Sequence, residues 1–436
     1  TNNHTIARSK YIQRGSIITS DGVTLAESLQ QEGGTYVRSY PNGNLAAHVV
    51  GYVSQQYGTT AIESVMNDTL TGSKDYSSWN NAIASLAGQT QPGNTAKLTI
   101  DSRIQTAAEQ ALKGFKGAVV VIDPRTGAVL ACASSPTYDN TNIDALLQAG
   151  GGEDGSMYNR AMDALYTPGS TFKVVTLSAA LETGTASLTS TYQAPGSMDI
   201  GNAPVTNYAN ESYGTISLQQ AFAVSSNVVF GQVANEVGAN TLVQFANAFG
   251  YGQKLGQDLT SAASIMADPS LMTEWETAWA GAGQPVGMDH TPGPQTTVMQ
   301  NAVIAAAIAN SGVVMDPYFV AQVLAPDGTV VKTTQSRSLG QAVSSATADQ
   351  VKQVMLAVVQ SGTGTDAQVP GVKVAGKTGS AETGGTNVNS MFVGFAPYDS
   401  PTVAISVALE DYDKHDVKAA KIAGIVLTAA LAAQGA

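Results

Sequence analysis

Two groups of predicted β-strands lie far apart in this sequence and constrain its fold more than any other feature. The earlier group is a hairpin within residues 117–132, with a Pro-Arg-Thr-Gly turn between its strands. The later group consists of three strand candidates, at residues 372–382, 390–397 and 402–409. Residues 140–365 between the groups are predicted to be mainly helical from their periodicity. The most economical fold is α+β, with one five-stranded antiparallel sheet and a helical subdomain inserted between its second and third strands.

Two helices are predicted to flank this sheet. Asp101 and Ser102 can cap a helix that ends near Gly114, and residues 419–433 form an amphipathic helix close to the end of the sequence. Each helix offers an apolar face that the sheet can cover.

The first 95 residues have a different character, because they are polar and rich in turns. Residues 14–18 and 23–26 are predicted as two strands joined by a tight turn at Asp21-Gly22. Residues 87–94 have the composition of a linker. We therefore predict a small N-terminal module over residues 1–95 and a second domain over residues 96–436.

Charge and composition exclude several classes of protein. The net charge of −12 argues against a nucleic-acid groove, which needs a basic surface. The 43% of apolar residues supplies a full core, so global disorder is excluded. No apolar stretch of about 20 residues is present, so we expect any membrane anchor or signal to precede Thr1.

Cysteine and histidine usage predicts no metal centre. Cys132 is the single cysteine, so neither an intrachain disulfide nor a cysteine-based zinc site can form. Its strand context indicates a small core residue. The four histidines, at positions 4, 48, 290 and 415, have no ligand spacing.

The first chemical motif is Ser170-Thr-Phe-Lys173, which follows Thr-Pro-Gly and begins a helical pattern. Residues three apart share one face of a helix, so the lysine amine can sit beside the hydroxyl. A lysine in a dry site near another cation can lose its proton and act as a base. The alternative interpretation is a helix-capping serine and a solvated lysine, which chance alone would often produce.

Two further motifs follow in the chain. Ser225-Ser226-Asn227 is weak by itself, since helix capping or a local turn explains such a pattern equally well. Lys377-Thr378-Gly379-Ser380 lies in a strand candidate and supplies a positive charge and hydroxyl donors for a carboxylate. A glycine within a strand marks close approach of a ligand or of another backbone. The alternative is an edge strand protected by its lysine.

Together, and in this order, the motifs resemble those of the penicilloyl-serine transferases, whose signature is Ser-x-x-Lys, Ser-x-Asn and Lys-Thr-Gly. Residues 134–139 and 159–173 are similar to the approach to the nucleophile in transpeptidases. Residues 14–26 and 48–52 are similar to the N-terminal module of class B penicillin-binding proteins. The short module leaves no room for a glycosyltransferase domain, and the closest likeness is to the short penicillin-binding protein A group.

The resemblance implies a peptidoglycan D,D-transpeptidase. Ser170 would attack a stem peptide ending in D-Ala-D-Ala, and neutral Lys173 would take the serine proton. Ser225 would relay a proton to the leaving D-Ala, while Asn227 would hold Lys173 and the substrate amide. β-Lactam antibiotics would acylate the same serine, and the reaction would need no metal and no organic cofactor.

The same resemblance assigns the third motif to substrate binding. Lys377 would set a positive field, and the Thr378 and Ser380 hydroxyls, with Gly379 between them, would bind the terminal carboxylate. The backbone amides of Ser170 and Ser380 would form the oxyanion hole.

Location and partners also follow from the family. The enzyme would work on the extracytoplasmic face of the bacterial cell membrane, held by an N-terminal anchor. Its N-terminal module would act as a spacer and dock cell-wall synthesis or division proteins.

Three alternatives share the motifs. A β-lactamase would hydrolyse the acyl-enzyme, and a D,D-carboxypeptidase or endopeptidase would use the same residues on other acceptors. A non-catalytic β-lactam sensor would acylate without turnover of peptide. The sequence alone leaves the roles of Glu382, Trp275 and Trp279 open.

Overall fold

The computed structural model describes residues 9–73, 91–382, 388–411 and 417–435 of the chain. His4, His415 and residues 87–90 of the predicted linker lie outside these ranges, and so does the side chain of Glu382. Among the helices in the described ranges, none has both the length and the apolar character that a membrane crossing needs.

The N-terminal part of the chain folds into short strands and helices. In chain order these are β1 Ile17–Ile18, β2 Thr24–Gln30, β3 Tyr36–Ser39, α1 Ala47–Val50, β4 Val53–Ser54, β5 Gly58–Thr59, α2 Ala61–Val65, α3 Asn67–Thr71 and β6 Thr95–Leu98. Next come α4 Ser102–Leu112, β7 Lys116–Ile122, β8 Val129–Ser135, α5 Ile143–Gln148 and, after a 3-10 turn at Gly169–Phe172, α6 Lys173–Glu182.

The middle of the chain contains β9 Thr191–Ala194, β10 Ser197–Ile200, β11 Ala203–Thr206, β12 Gly214–Ser217, α7 Leu218–Val224, α8 Asn227–Val237, α9 Ala239–Ala248, α10 Glu274–Gly281 and α11 Val298–Ala309. The last elements are β13 Val313–Met315, β14 Val320–Leu324, β15 Val330–Thr333, β16 Ser338–Gln341, α12 Ser345–Ser361, β17 Ala375–Glu382, β18 Val388–Ala396, β19 Val403–Glu410 and α13 Ala419–Ala433. Short 3-10 turns lie at Tyr208–Asn210, Pro269–Leu271 and Thr365–Ala367.

The five-stranded sheet predicted from the sequence is confirmed. Its order is β17-β18-β19-β7-β8, and every neighbouring pair is antiparallel. Successive side chains of a strand point to opposite faces of the sheet. Val119 and Val121 accordingly join the core beneath α4 and α13, whereas Val120 and Ile122 join the core that contains α11. Helices cover both faces, which explains the nearly continuous apolar runs of β7 and β19.

Helix α11 occupies the centre of the larger core. Every residue of this helix is buried, including Gln300 and Asn301. A helix that is apolar on all sides is enclosed by other elements. The predicted helices are also confirmed: Asp101 caps α4 by accepting from the Arg103 amide at 2.9 Å, and α13 spans the predicted residues.

The prediction of a mainly helical block over residues 140–365 is wrong in one respect. The block contains eight short strands, β9 to β16, which form two-stranded ribbons and part of a second sheet. These strands are three to five residues long and partly exposed, as in β9, where exposed Thr191 and Gln193 alternate with buried Tyr192 and Ala194. So short an alternation gives too weak a periodic signal to separate it from the helices on either side.

A second sheet crosses the predicted domain boundary. Its order is β15-β14-β6-β1-β2-β3, so strands from residues 320–333 join strands from the N-terminal module. The Gly93 amide donates to the Gln13 carbonyl at 2.8 Å. A Cβ on Gly15 would lie 1.9 Å from the Asn94 carbonyl oxygen, so the two segments cross in direct contact. The division at residue 95 stays a prediction.

A buried ionic cluster fixes the N-terminal module internally. Glu63, whose side chain is 0% exposed, accepts hydrogen bonds from Arg14 Nε at 3.0 Å, from Arg38 Nε at 2.8 Å and from Tyr40 Oη at 2.8 Å. Burial alone would raise the pKa of this carboxyl, but the two guanidinium groups hold it below its usual value.

Candidate active site

The Ser170-x-x-Lys173 motif forms a single helical turn. Ser170 lies in the 3-10 turn Gly169–Phe172, which continues directly into α6 at Lys173. Gly169 has φ +57°, and a Cβ there would lie 2.5 Å from the Ser380 carbonyl oxygen. Glycine therefore allows strand β17 to lie directly against the turn that carries the serine.

Lys173 connects the first two motifs. Its Nζ lies 3.0 Å from Ser170 Oγ, 3.0 Å from Ser225 Oγ, 2.9 Å from the Ser225 carbonyl oxygen and 2.8 Å from Asn227 Oδ1. The side chain is completely buried. The structure thus brings together four of the residues predicted from the sequence.

The environment of Lys173 favours its neutral form. Burial lowers the pKa of this amine well below its usual value, and the nearby Lys377 lowers it further. A neutral amine has two hydrogens and one lone pair. The Asn227 amide oxygen and the Ser225 carbonyl oxygen can only accept, so they take the two hydrogens. The lone pair is then available to a serine hydroxyl proton.

The second motif is a turn between α7 and α8. Ser225 ends α7 in the left-handed conformation, with φ +61°. Ser226 caps α8 by accepting from the Val229 amide at 3.2 Å, and it donates to Asn207 Oδ1 at 2.9 Å. The middle residue of the motif is therefore structural. Sequence reasoning missed Asn207, which no motif marks.

Lys377 contacts the hydroxyl of Ser225 that Lys173 also contacts. Its Nζ donates to Ser225 Oγ at 3.1 Å and to the Thr378 carbonyl oxygen at 3.0 Å. Burial lowers the pKa of Lys377 to about 7. Its ammonium group also lies 5.5 Å from the centre of the Phe222 ring, a distance at which the ring attracts a cation.

The rest of the third motif lies on the outer strand of the five-stranded sheet. Thr378 is half-buried and Ser380 is exposed, so a substrate can reach both residues. Gly379 allows close packing, since a Cβ there would lie 3.0 Å from the Thr171 amide nitrogen. An outer strand can accept an extended peptide along its free edge.

Three residues outside the motifs support this arrangement. Glu410, at the end of β19, accepts hydrogen bonds from Arg160 Nε at 3.1 Å and from Tyr166 Oη at 2.7 Å. Arg160 and Tyr166 belong to the segment that leads to Ser170. The sequence likeness around residues 159–161 pointed to this segment, but nothing in the sequence indicated Glu410 as the partner.

Other residues singled out from the sequence lie away from this chemistry. Cys132 is buried, and burial raises the pKa of its thiol strongly. Trp275 Nε1 donates to the Pro204 carbonyl oxygen at 3.0 Å, and Trp279 packs against the larger core. Over the described ranges, no group of three or more histidine, cysteine, aspartate or glutamate residues could hold a metal ion.

Comparison with known families agrees with this geometry. The family model of the penicillin binding protein transpeptidase domain matches residues 117–430, and that of the penicillin binding protein A dimerisation domain matches residues 14–96. The chain therefore belongs to the penicillin-binding protein transpeptidase family. The resemblance inferred from the motifs and the fold expected from it are confirmed.

Individual relatives place the chain beside the penicillin-binding protein A group. It is 33% identical to the peptidoglycan D,D-transpeptidase PbpA of Mycobacterium tuberculosis, over 94% of this chain and 86% of that protein. The D,D-transpeptidase domain of a peptidoglycan glycosyltransferase from Eggerthella lenta is 43% identical, with a TM-score of 0.89 over 98% of this chain and 99% of that one. The imipenem acyl-enzyme complex of penicillin-binding protein A from M. tuberculosis is 32% identical, with a TM-score of 0.88 over 97% of this chain and 99% of that one.

Proposed function

We propose that Ser170 is the acylated nucleophile of this enzyme and that Lys173 is its general base. The chain is a serine-type peptidoglycan D,D-transpeptidase and a target of β-lactams. The observation that supports the two roles is the position of the buried Lys173 Nζ, 3.0 Å from Ser170 Oγ and 3.0 Å from Ser225 Oγ. A base must lie within hydrogen-bond reach of the proton that it removes.

Acylation begins when Ser170 Oγ attacks the carbonyl carbon of the penultimate D-Ala in a stem peptide. The serine proton passes to the lone pair of Lys173 Nζ, which becomes an ammonium group. Negative charge develops on the carbonyl oxygen, and the backbone amides of Ser170 and Ser380 stabilise it. The N-terminal end of the helix that begins at the Ser170 turn adds a favourable dipole.

Departure of the terminal D-Ala requires a proton at its nitrogen. Ser225 Oγ supplies this proton, and the Lys173 ammonium group replaces it along the 3.0 Å contact between them. The serine ends as an acyl ester, Lys173 is again neutral, and all protons are accounted for. Lys377, in contact with the same hydroxyl, favours the negative charge that Ser225 carries during the transfer.

Substrate binding is assigned to the outer strand. The Thr378 and Ser380 hydroxyls donate to the terminal carboxylate, with Lys377 providing a positive field beneath them. Asn227 holds both Lys173 and the substrate amide. Such groups fix the scissile carbonyl close to Ser170 Oγ, which is the main benefit of positioning in catalysis.

The acyl-enzyme is then resolved by an amine of a neighbouring stem peptide. The amine attacks the ester carbon, its proton passes through Ser225 and Lys173 to Ser170 Oγ, and a new peptide bond cross-links the two strands. A β-lactam imitates the D-Ala-D-Ala end and leaves an ester on Ser170 instead.

Location and partners complete the proposal. Peptidoglycan lies outside the cytoplasmic membrane, so the enzyme is placed on the extracytoplasmic face of that membrane, and an anchor in the membrane is part of the same proposal. The N-terminal module, which the family model relates to penicillin-binding protein A, would act as the spacer that docks cell-wall synthesis or division proteins.

Mass spectrometry after incubation with benzylpenicillin tests the central assignment. We expect one penicilloyl adduct on the peptide that contains Ser170 and none on the Ser170→Ala variant, whose melting temperature stays near that of the wild type. The exposed Ser187→Ala substitution is the matched control and keeps the adduct. An adduct on the Ser170→Ala protein would disprove the assignment.

A cross-linked product in the presence of an amine acceptor separates a transpeptidase from a carboxypeptidase or a sensor.

A further inference from the structure

Thr363 contacts the substrate-binding motif although it belongs to none of the three motifs. Its Oγ1 lies 2.6 Å from Oγ1 of Thr378. From this contact we propose that Thr363 is a positioning residue, which keeps the Thr378 hydroxyl proton free for the substrate carboxylate. The inference rests on the proposed role of Thr378 and adds a residue that selects for anionic substrates.

The backbone around Thr363 is fixed rather than open. It stands between the C-terminal end of α12 and the 3-10 turn Thr365–Ala367. The amides of Gly362 and Gly364, on either side of it, both donate to the Val358 carbonyl oxygen at 3.0 Å. A β-branched side chain has few χ1 rotamers, so a fixed backbone also restricts the direction of its hydroxyl.

The hydrogen-bond capacity of the two hydroxyls determines what the contact does. Each hydroxyl has one proton and two lone pairs, and within the pair only one of them donates. If Thr378 donates to Thr363, its proton is no longer available to a substrate. If Thr363 donates to Thr378, the Thr378 proton is free. A carboxylate can only accept, and it therefore selects the second arrangement.

The anion depends on these hydroxyls because the nearby Lys377 side chain is completely buried. Its Nζ donates to Ser225 Oγ and to the Thr378 carbonyl oxygen. Thr378 is only half-buried and can meet the substrate directly. Hydrogen bonds in a chain polarise one another, so donation from Thr363 strengthens the bond from Thr378 to the anion.

Acylation by benzylpenicillin and by its methyl ester tests the inference, because only the first carries a carboxylate. Thr363→Val keeps the volume and removes the hydroxyl, whereas Thr363→Ser keeps the hydroxyl. In the valine variant we expect the second-order acylation rate with benzylpenicillin to fall about tenfold, as for loss of a hydrogen bond in a charged network. The rate with the ester should change less than about twofold, since no anion is bound. Thr363→Ser should restore the benzylpenicillin rate, and Thr365→Val, at an exposed position two residues away, is the matched control.

A double-mutant cycle shows whether Thr363 acts through Thr378. In a Thr378→Val background, Thr363→Val should have no further effect on acylation by benzylpenicillin. Three results would overturn the inference and leave the proposed function intact. They are an equal fall in the acylation rates with the two reagents, an unchanged rate with benzylpenicillin, and additive effects of the two substitutions in the cycle. A wild-type protein that benzylpenicillin does not acylate would overturn the proposed function, and this inference with it.

Discussion

Lys173 and Lys377 both contact one hydroxyl group, that of Ser225. Their Nζ atoms are 3.0 and 3.1 Å from Ser225 Oγ, and both side chains are completely buried. Two neighbouring buried ammonium groups are unfavourable, and burial lowers the pKa of both lysines. Lys377 lowers the pKa of Lys173 further, so the lysine next to Ser170 loses its proton more readily. The pair thus provides a neutral base beside a second amine that can still carry charge.

The low pKa of Lys377, about 7, predicts a pH-dependent contribution to stability. Between that value and the unfolded pKa of about 10.4, the unfolded chain holds a proton that the folded protein lacks, so stability rises with pH. We expect the unfolding free energy of the wild type to rise more steeply than that of Lys377→Met, by up to about 1.4 kcal/mol per pH unit between about pH 8 and 9.5. Urea unfolding at several pH values measures this. The same dependence of unfolding free energy on pH in the wild type and in Lys377→Met would contradict the prediction. The substitution Lys332→Met, at an exposed position, is the control.

Removal of the general base should nearly abolish acylation. Lys173→Ala removes the amine that lies 3.0 Å from Ser170 Oγ, and we expect the penicillin acylation rate to fall by about three orders of magnitude. Stopped-flow measurement with a fluorescent penicillin gives the rate, and Lys332→Ala should match the wild type. A rate within about tenfold of the wild-type value would point to a different base.

The ionic cluster of the N-terminal module should be sensitive to loss of its carboxylate. Glu63→Gln leaves Arg14 and Arg38, whose side chains are 11% and 9% exposed, without their buried counter-charge. We expect a loss of about 3–5 kcal/mol in unfolding free energy, as is usual when one partner of a buried ion pair is removed. Denaturant unfolding provides the measurement. Glu32→Gln, at an exposed position, is the control and should change the unfolding free energy little. An equally small effect of Glu63→Gln would show that the cluster adds nothing to stability.

Truncation tests the predicted division of labour. All the proposed acylating residues follow residue 95, so a soluble monomeric chain that starts at Ala96 should still bind penicillin covalently. Its melting temperature should fall, because removal of β1 leaves one edge of β6 unpaired and removes the bond from the Ala46 amide to Glu109. Gel-based labelling with a fluorescent penicillin is the measurement. A folded truncated chain that does not react would show that the first 95 residues shape the site.

Much of the fold and site follows from local sequence patterns. Strands β7 and β19 of the five-stranded sheet have long apolar runs, and Ser170, Lys173 and Lys377 stand in short motifs that chemistry explains. Other contacts depend on segments that meet only in the folded chain. Thr363 meets Thr378 because α12 packs on β17, and Glu410 meets Arg160 because β19 ends beside the segment before the nucleophile. No local periodicity records such meetings.

The sheet that joins the two parts of the chain has a consequence for biosynthesis. Strands β1 and β6 leave the ribosome well before β14, which pairs with β6 and comes from residues 320–324. The earlier segment therefore waits with one edge of β6 unpaired until residues 320–324 have been made. Contacts over such sequence distances slow folding and expose partly folded chains to aggregation. The N-terminal segment should depend on chaperones during this interval more than a self-contained domain of its size.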